Sequence, residues 1–495
     1  MVHKNRSWFL IFLVALTLRL TPVILFKDLG IGLDDMYQYD MLARSIASGD
    51  WFRWYAEDDL PQLTSYLNLD LENSDYDPRG VLTSFRPPLY PAFLAVIYSI
   101  AGITPHRFFI ARLVQAFLAS ALVPLTYALA RRLFPGSRKI ATLAACCIAF
   151  YPMLVIYPLS LATENLFFVL LTSAVLSLVI AIQASTYTPV QESRVGLLKA
   201  VKNNRWYLLA GLLLGMAALT RSVSLGLAGI VLLWLWFGLH KRTQAVLVFA
   251  MVILVVSPWM VRNSLLHDRF IGVESALGYD LYVGYHPEGT GTFQYPQSLD
   301  LMTMLDDGLR DEVGRARAVE FIREDPGRFF PLVLRRAGYF FGLERRALSY
   351  FYSNNYFGYI RTPLLLTFSI LFCLPFVFIA LSSLPALATL KWDQDLILIG
   401  LVMGGYILPH LVIIAEDRFH LALLPFLAIL ASFFWVEGKR AVRTKWMTIS
   451  GKWVMGFAML GMLLLLANWI LELLRDADKL VLLFGPLGNQ TFFPY

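Results

Sequence analysis

A small set of acids and arginines stands where apolar runs begin or end, and these are the residue types that can do chemistry at a membrane face. The first is the pair in Gly32-Leu33-Asp34-Asp35-Met36-Tyr37-Gln38-Tyr39. A carboxylate there suits a general base facing an acceptor hydroxyl. It suits a helix N-cap equally well, and adjacent carboxylates point in different directions, so both uses can hold at once. Next comes Phe85-Arg86-Pro87-Pro88-Leu89-Tyr90-Pro91. Two prolines fix the chain just after a cation and present Arg86 at the head of an apolar segment. A guanidinium so placed can clamp a phosphate bidentately, or simply snorkel to the interface. Glu164 opens an apolar run in Leu161-Ala162-Thr163-Glu164-Asn165, either offsetting the helix dipole or lining a site. Arg221 and Arg262 close two further runs. Ala415-Glu416-Asp417-Arg418-Phe419-His420 interrupts a long, mostly apolar stretch. It reads either as a polar hairpin turn or as part of the same constellation. Cations and carboxylates gathered at one face suit a charged, lipid-linked substrate.

The elements that must position these residues follow from composition. Of 495 residues, 58% are hydrophobic and 16% charged, with a mean hydropathy of +0.60. A soluble domain carries about 25% charged residues. A soluble globule, a disordered chain and a disulfide scaffold are therefore excluded, and an all-α polytopic membrane protein remains. The net charge of +7 sits between apolar spans. It points to anionic lipid and away from nucleic acid. Cys146, Cys147 and Cys373 lie inside apolar runs and offer neither a disulfide framework nor zinc spacing. The N-terminal run from Trp8 to Phe26 has no small-residue cleavage site after it and reads as an uncleaved first span.

Crossing about 30 Å of hydrocarbon takes roughly 20 apolar residues. Eleven runs qualify or nearly so: 8–26, 107–130, 140–159, 164–183, 206–222, 223–239, 244–261, 361–383, 394–414, 420–436 and 453–473. The segment 87–102 is apolar but spans only about 16 residues, roughly 24 Å as a helix. It is expected as a juxtamembrane or re-entrant helix; a crossing would raise the span count toward 13. With it in the interface, the short basic loops around Lys4, Arg131, Arg194, Lys241, Lys391 and Lys439 fall on one side. The positive-inside rule then predicts N-terminus inside and C-terminus outside. Two long loops, 27–106 and 262–360, face outward as caps. The chain divides into an N-terminal transmembrane module 1–261, a cap region 262–360 and a C-terminal module 361–495. Met36, Tyr39, Ala43 and Ile46 recur at helical spacing before Gly49, which predicts an amphipathic helix on the outer membrane surface. Trp51, Trp54 and Tyr55 suit the interface, or a sugar.

In order and spacing these landmarks resemble the GT-C superfamily of integral-membrane glycosyltransferases. They are similar above all to the bacterial protein O-mannosyltransferase and lipid A aminoarabinose transferase type. The resemblance runs over residues 8–270 and returns at Glu416–Pro425. It implies a hexosyl- or pentosyl-type enzyme that moves a sugar from a polyprenyl-phosphate donor to a glycan, lipid or protein hydroxyl, with inversion, on the extracytoplasmic face of a bacterial or archaeal plasma membrane. It implies Asp34 as base with Asp35 beside it, Arg86, Arg262 and Arg418 against the donor phosphate, and Tyr37, Glu164, Arg221 and Glu416 lining the site. Some members use a divalent cation, for which Asp34, Asp35 and Glu164 offer oxygen ligands. A transporter or flippase for lipid-linked sugars is the alternative; it calls for charges near mid-membrane and internal repeats, and no repeat is visible. A non-catalytic scaffold would not need these acids and arginines. The topology is checked by labelling intact cells at a cysteine placed at Arg131. Protection from an impermeant reagent is expected, and labelling from outside overturns the assignment of sides.

Overall fold

The computed structural model describes residues 7–32, 35–64, 67, 76–187, 197–344 and 360–485; Asp34 lies outside them. The chain is helical almost throughout. One two-stranded antiparallel ribbon, Arg53–Trp54 with Val81–Leu82, sits in the first cap loop. Among the described residues, eight helices are long and apolar enough to cross a membrane, and nine if the bent pair Arg138–Phe150 and Pro152–Leu159 counts as one span. These account for nine of the eleven expected runs, and the other two are helical as well. The run 206–222 falls in the helix Leu197–Ala218, which stops before Arg221. The run 223–239 is the shorter apolar helix Val223–Gly238, whose end winds into a π-turn over Trp234–Gly238. The first of these helices, of 22 residues, rises about 33 Å and the second about 24 Å, against roughly 30 Å of hydrocarbon. The segment 87–102 forms a 13-residue helix, Leu89–Ala101.

Two spans are central. In Glu164–Ser185 and in Asp417–Trp446, 78% of the most apolar window is buried within the protein, against 17% in Ser7–Leu25 and in Ile449–Arg475. The central helix also sets the polarity of the bundle. Glu164 at its start pairs with Arg221, 2.7 Å away. Near its other end Gln183 donates to Asp395 at 2.8 Å and accepts from Arg132, and Ser185 meets Lys241. Nineteen residues of helix put these clusters about 28 Å apart. Residues expected at one membrane face thus meet at one end of the bundle, and Arg132 and Lys241, expected at the other face, meet at the opposite end.

Buried arginines hold the joints. Pro152 has no N–H to give and bends its span by 55°, leaving carbonyls of the preceding turn without partners. Arg19, fully buried, fills that gap by donating to Ile148 O at 3.0 Å. Arg112 donates to the carbonyls of Leu29, Gly30 and Leu159, which fixes the chain leading into the first acidic helix. That helix, Asp35–Ser48, ends at Gly49, whose φ of +86° suits glycine. It does not rest with one face on lipid. Met36, Tyr39 and Ala43 pack into the main core, while Tyr37, Met41 and Leu42 pack into a second cluster with residues of both cap loops.

The two caps are therefore one structure. Asp307 accepts from Thr83 Oγ1 and from the Ser84 N–H, and Ser275 N–H donates to Ser84 O at 2.9 Å. The helix Leu277–Tyr285 lies so close to Asp307–Glu324 that a Cβ on Gly278 would stand 1.9 Å from Asp311 O. Gly278→Ala should therefore lower the melting temperature of detergent-solubilised protein by overpacking worth about 1–3 kcal/mol. Gly404→Ala, in the interior of the helix Gln394–Val412 where open space surrounds the position, should leave it unlowered or raise it slightly. Equal melting temperatures for both would show that the close approach is not needed.

Candidate functional site

Between the cap and the end of the bundle that holds Glu164 lies a cavity of about 890 Å³. Local structure delivers its charged residues from four parts of the chain. Pro87 and Pro88 start the helix Leu89–Ala101, where a missing N–H costs nothing. Leu89 N–H donates to Leu219 O at 2.9 Å and ties the Arg86 segment to the turn carrying Arg221. Arg336, fully buried, donates to Val412 O at 2.7 Å and Gly284 O at 2.6 Å. It thereby supplies donors to carbonyls at the C-terminal end of the helix Gln394–Val412. The chain then turns into Glu416 and the 3-10 helix Asp417–Leu423.

Asp35 stands at the centre. One carboxylate oxygen pairs with Arg86 Nη2 and the other accepts from Arg418 Nη2 at 3.0 Å, across 383 residues of sequence. Gln38 Oε1 accepts from Arg86 Nε at 2.9 Å, one helical turn beyond Asp35. The guanidinium also faces the rings of Tyr39 and Phe85. Arg418 Nε lies 2.9 Å from Glu416. Burial by itself would raise the Asp35 carboxyl, but Arg86 and Arg418 outweigh it and hold the group well below the usual carboxylate range. Asp35 is thus a permanent anion and a weak base, and its effect is to fix two arginine forks toward one space. Beside it, Glu164 binds Arg221 and accepts from Thr163 Oγ1 at 3.1 Å. Arg221 lies over the Phe419 ring, 5.0 Å from its centroid.

Asp35, Arg86, Glu164, Arg221, Glu416 and Arg418 all line this cavity. Two of the expected site residues do not. Arg262 donates to Thr83 O at 2.6 Å and packs on Trp259 and Phe52 within the cap. Tyr37 points into the cap cluster and donates to Asp59 Oδ1 at 2.8 Å. Tyr37 is one step round its helix from Met36 and Gln38, which do face the cavity, whereas the helix Arg242–Leu266 that carries Arg262 lines no part of it; hydropathy reports neither the rotation nor the choice of neighbours. Asp34 is outside the described residues.

Three cavity acids escaped sequence reading. Glu274 meets Ser222 Oγ, Asp280 opens onto the space from the helix Leu277–Tyr285, and Glu344 lies at a buried end. They come from the long second cap loop, where acids and bases alternate without a marked pattern. Burial first, and then the neighbouring Glu274 charge, push the Asp280 carboxyl up to about 8; burial raises Glu274 too. Among the described residues no three His, Cys, Asp or Glu side chains come together as a metal site. The oxygens of Asp35 and Glu164 are already held by arginines or Thr163. Asp34, the third of the expected oxygen ligands, lies outside the described residues.

The raised Asp280 pKa carries a stability consequence. Below about 4 both folded and unfolded chains hold the proton. Between about 4 and 8 only the folded chain does, so Asp280 costs progressively more stability as pH rises. Asp280→Asn should leave the melting temperature near that of the parent at pH 4 and raise it increasingly toward pH 8. A constant difference across that window would contradict the assignment.

No family model matches the sequence, and no curated protein does. Solved structures do resemble it. The oligosaccharyltransferase of Archaeoglobus fulgidus in its apo form aligns over 100% of this chain and 60% of its own, at 14% identity and a TM-score of 0.50. The same transferase tethered to an acceptor peptide containing the NVT sequon aligns over 98% and 58%, at 15% identity and a TM-score of 0.50. ArnT from Cupriavidus metallidurans bound to undecaprenyl phosphate aligns over 89% and 79%, at 13% identity and a lower TM-score of 0.40. The chain thus spans about three fifths of the length of the archaeal transferase. At such identities the fold alone is what the chain shares with the archaeal transferase.

Proposed function

We propose that the chain is a membrane glycosyltransferase that takes a sugar from a polyprenyl-phosphate donor and passes it to an acceptor hydroxyl at the extracytoplasmic face. The observation that carries this reading is the Arg86–Asp35–Arg418 bridge on the wall of a large cavity. Each arginine spends Nη2 on Asp35 and turns Nε to Gln38 or Glu416, which leaves Nη1 of each for the phosphate. The site offers preorganised donors where negative charge develops as the lipid phosphate leaves.

In the proposed reaction a base removes the acceptor hydroxyl proton while its oxygen attacks the anomeric carbon from the side opposite the phosphate. The bond from that carbon to the phosphate oxygen breaks, and its electron pair stays on the phosphate facing Arg86 and Arg418. The configuration inverts. Asp35, pinned between two cations, is too weak a base for this step, so the role falls to Asp34, its neighbour in sequence. A transporter would need a polar route from this end of the bundle to the other. The stretch Asn165 to Ile182 of the central helix is almost entirely apolar and buried instead.

The test is transfer by purified protein reconstituted with a polyprenyl-phosphate sugar and acceptor glycolipids or peptides. Asp34→Asn should lower turnover about 10²- to 10⁴-fold. Arg418→Ala should lower it about 100-fold or more. Wild-type turnover in Asp34→Asn would remove that residue from the role of base.

A further inference from the structure

At the buried end of the cavity, three side chains form a network that the reaction above does not use. Glu344 Oε1 accepts from the Tyr151 hydroxyl and lies 2.8 Å from His420 Nε2. His420 Nδ1 lies 2.8 Å from Phe340 O, and its ring stacks on Phe376 with centroids 3.8 Å apart. A carbonyl can only accept, so Nδ1 carries a proton. Nε2 then either donates to an ionised Glu344 or accepts from a protonated one. In both states Oε2 remains an acceptor.

That oxygen has no partner among the described residues, although the Glu344 side chain is only 2% exposed and lines the cavity. A buried, unmatched carboxylate oxygen costs free energy unless something supplies a donor. Its position is not accidental to the fold. Tyr151 sits at the break before Pro152, and His420 lies two residues past Arg418 on the same 3-10 turn. Glu344 is thus locked in orientation by a partner on the turn that carries Arg418, and both residues line the cavity where the donor phosphate is proposed to sit. The group joined directly to that phosphate is the sugar.

We propose that Glu344 is a sugar-reading residue: its Oε2 accepts a hydrogen bond from a hydroxyl of the monosaccharide on the lipid phosphate. Tyr151 and His420 are its positioning residues. The proposal rests on the donor class proposed above, and the experiment separates the two. Binding of undecaprenyl phosphate and of undecaprenyl-phosphate monosaccharides is measured on the full chain in nanodiscs, for wild type, Glu344→Gln and Tyr151→Phe. Wild type should bind its preferred sugar-bearing lipid more tightly than the sugarless one. Glu344→Gln should shrink that ratio about 10-fold or more. Tyr151→Phe, which keeps the ring but frees Glu344 to turn, should shrink it less; it also serves as the test should Glu344→Gln fail to fold. An unchanged ratio in the folded variants overturns the proposal. So does an equal loss for both lipids, which would make Glu344 only a support for the Arg418 turn. If wild type binds neither lipid, the donor reading itself fails and takes this one with it.

Discussion

A guanidinium taken out of water must find acceptors for five N–H groups, because nothing in an apolar interior replaces its hydration. This chain buries arginines at its joints. Arg19 satisfies the carbonyls freed where a span breaks at Pro152. Arg112 holds the loop that enters the first acidic helix, and Arg336 closes the helix that leads into the Arg418 turn. Arg310, fully buried with Asp307, faces the Trp54 and Phe85 rings and sits where the two cap loops meet. Each of these cations meets carbonyls or a carboxylate through its terminal nitrogens, while Nε of Arg19, Arg310 and Arg336 has no partner among the described residues, and each match fixes a backbone segment. Removing such a cation would leave several buried carbonyls unsatisfied at once.

At the cavity the arginines are matched in part and also face open space. Asp35 neutralises parts of Arg86 and Arg418 without surrounding either one, and Glu164 does the same for Arg221. Asp35 and Glu416 balance the two arginines in charge but leave directed N–H groups toward the open space. Glu274 and Asp280 stand with no cation bound to them among the described residues, and their mutual repulsion together with burial raises the Asp280 pKa. These arginines and these two acids line one space. That combination suits a substrate with an anionic end and a hydroxylated end.

Much of this was legible in the residues. The membrane setting followed from 16% charge and long apolar runs. The helix ending at Gly49, the short helix after Pro87-Pro88, and the grouping of Asp35, Arg86, Glu164, Arg221 and Arg418 followed from spacing and from the ends of spans. These are one-dimensional properties: apolar length gives depth in the bilayer, and a charge that ends a run must lie near its edge. Glu274, Asp280 and Glu344 were not legible, because their loop has a mixed composition in which no acid stands out until folding buries it.

Sequence alone determined which residues lie at a given depth, since hydrophobic transfer depends on composition along a helix. Tertiary structure decided which of them meet. It turned Arg262 and Tyr37 into the cap and Arg86 and Asp35 into the cavity, although all four lie in segments that sequence places at the same face. It also joined Asp35 to Arg418 across 383 residues. The rotation of a helix about its axis and the choice of its neighbours depend on packing and on the pairing of buried charge, and neither is encoded in the order of apolar residues along one segment.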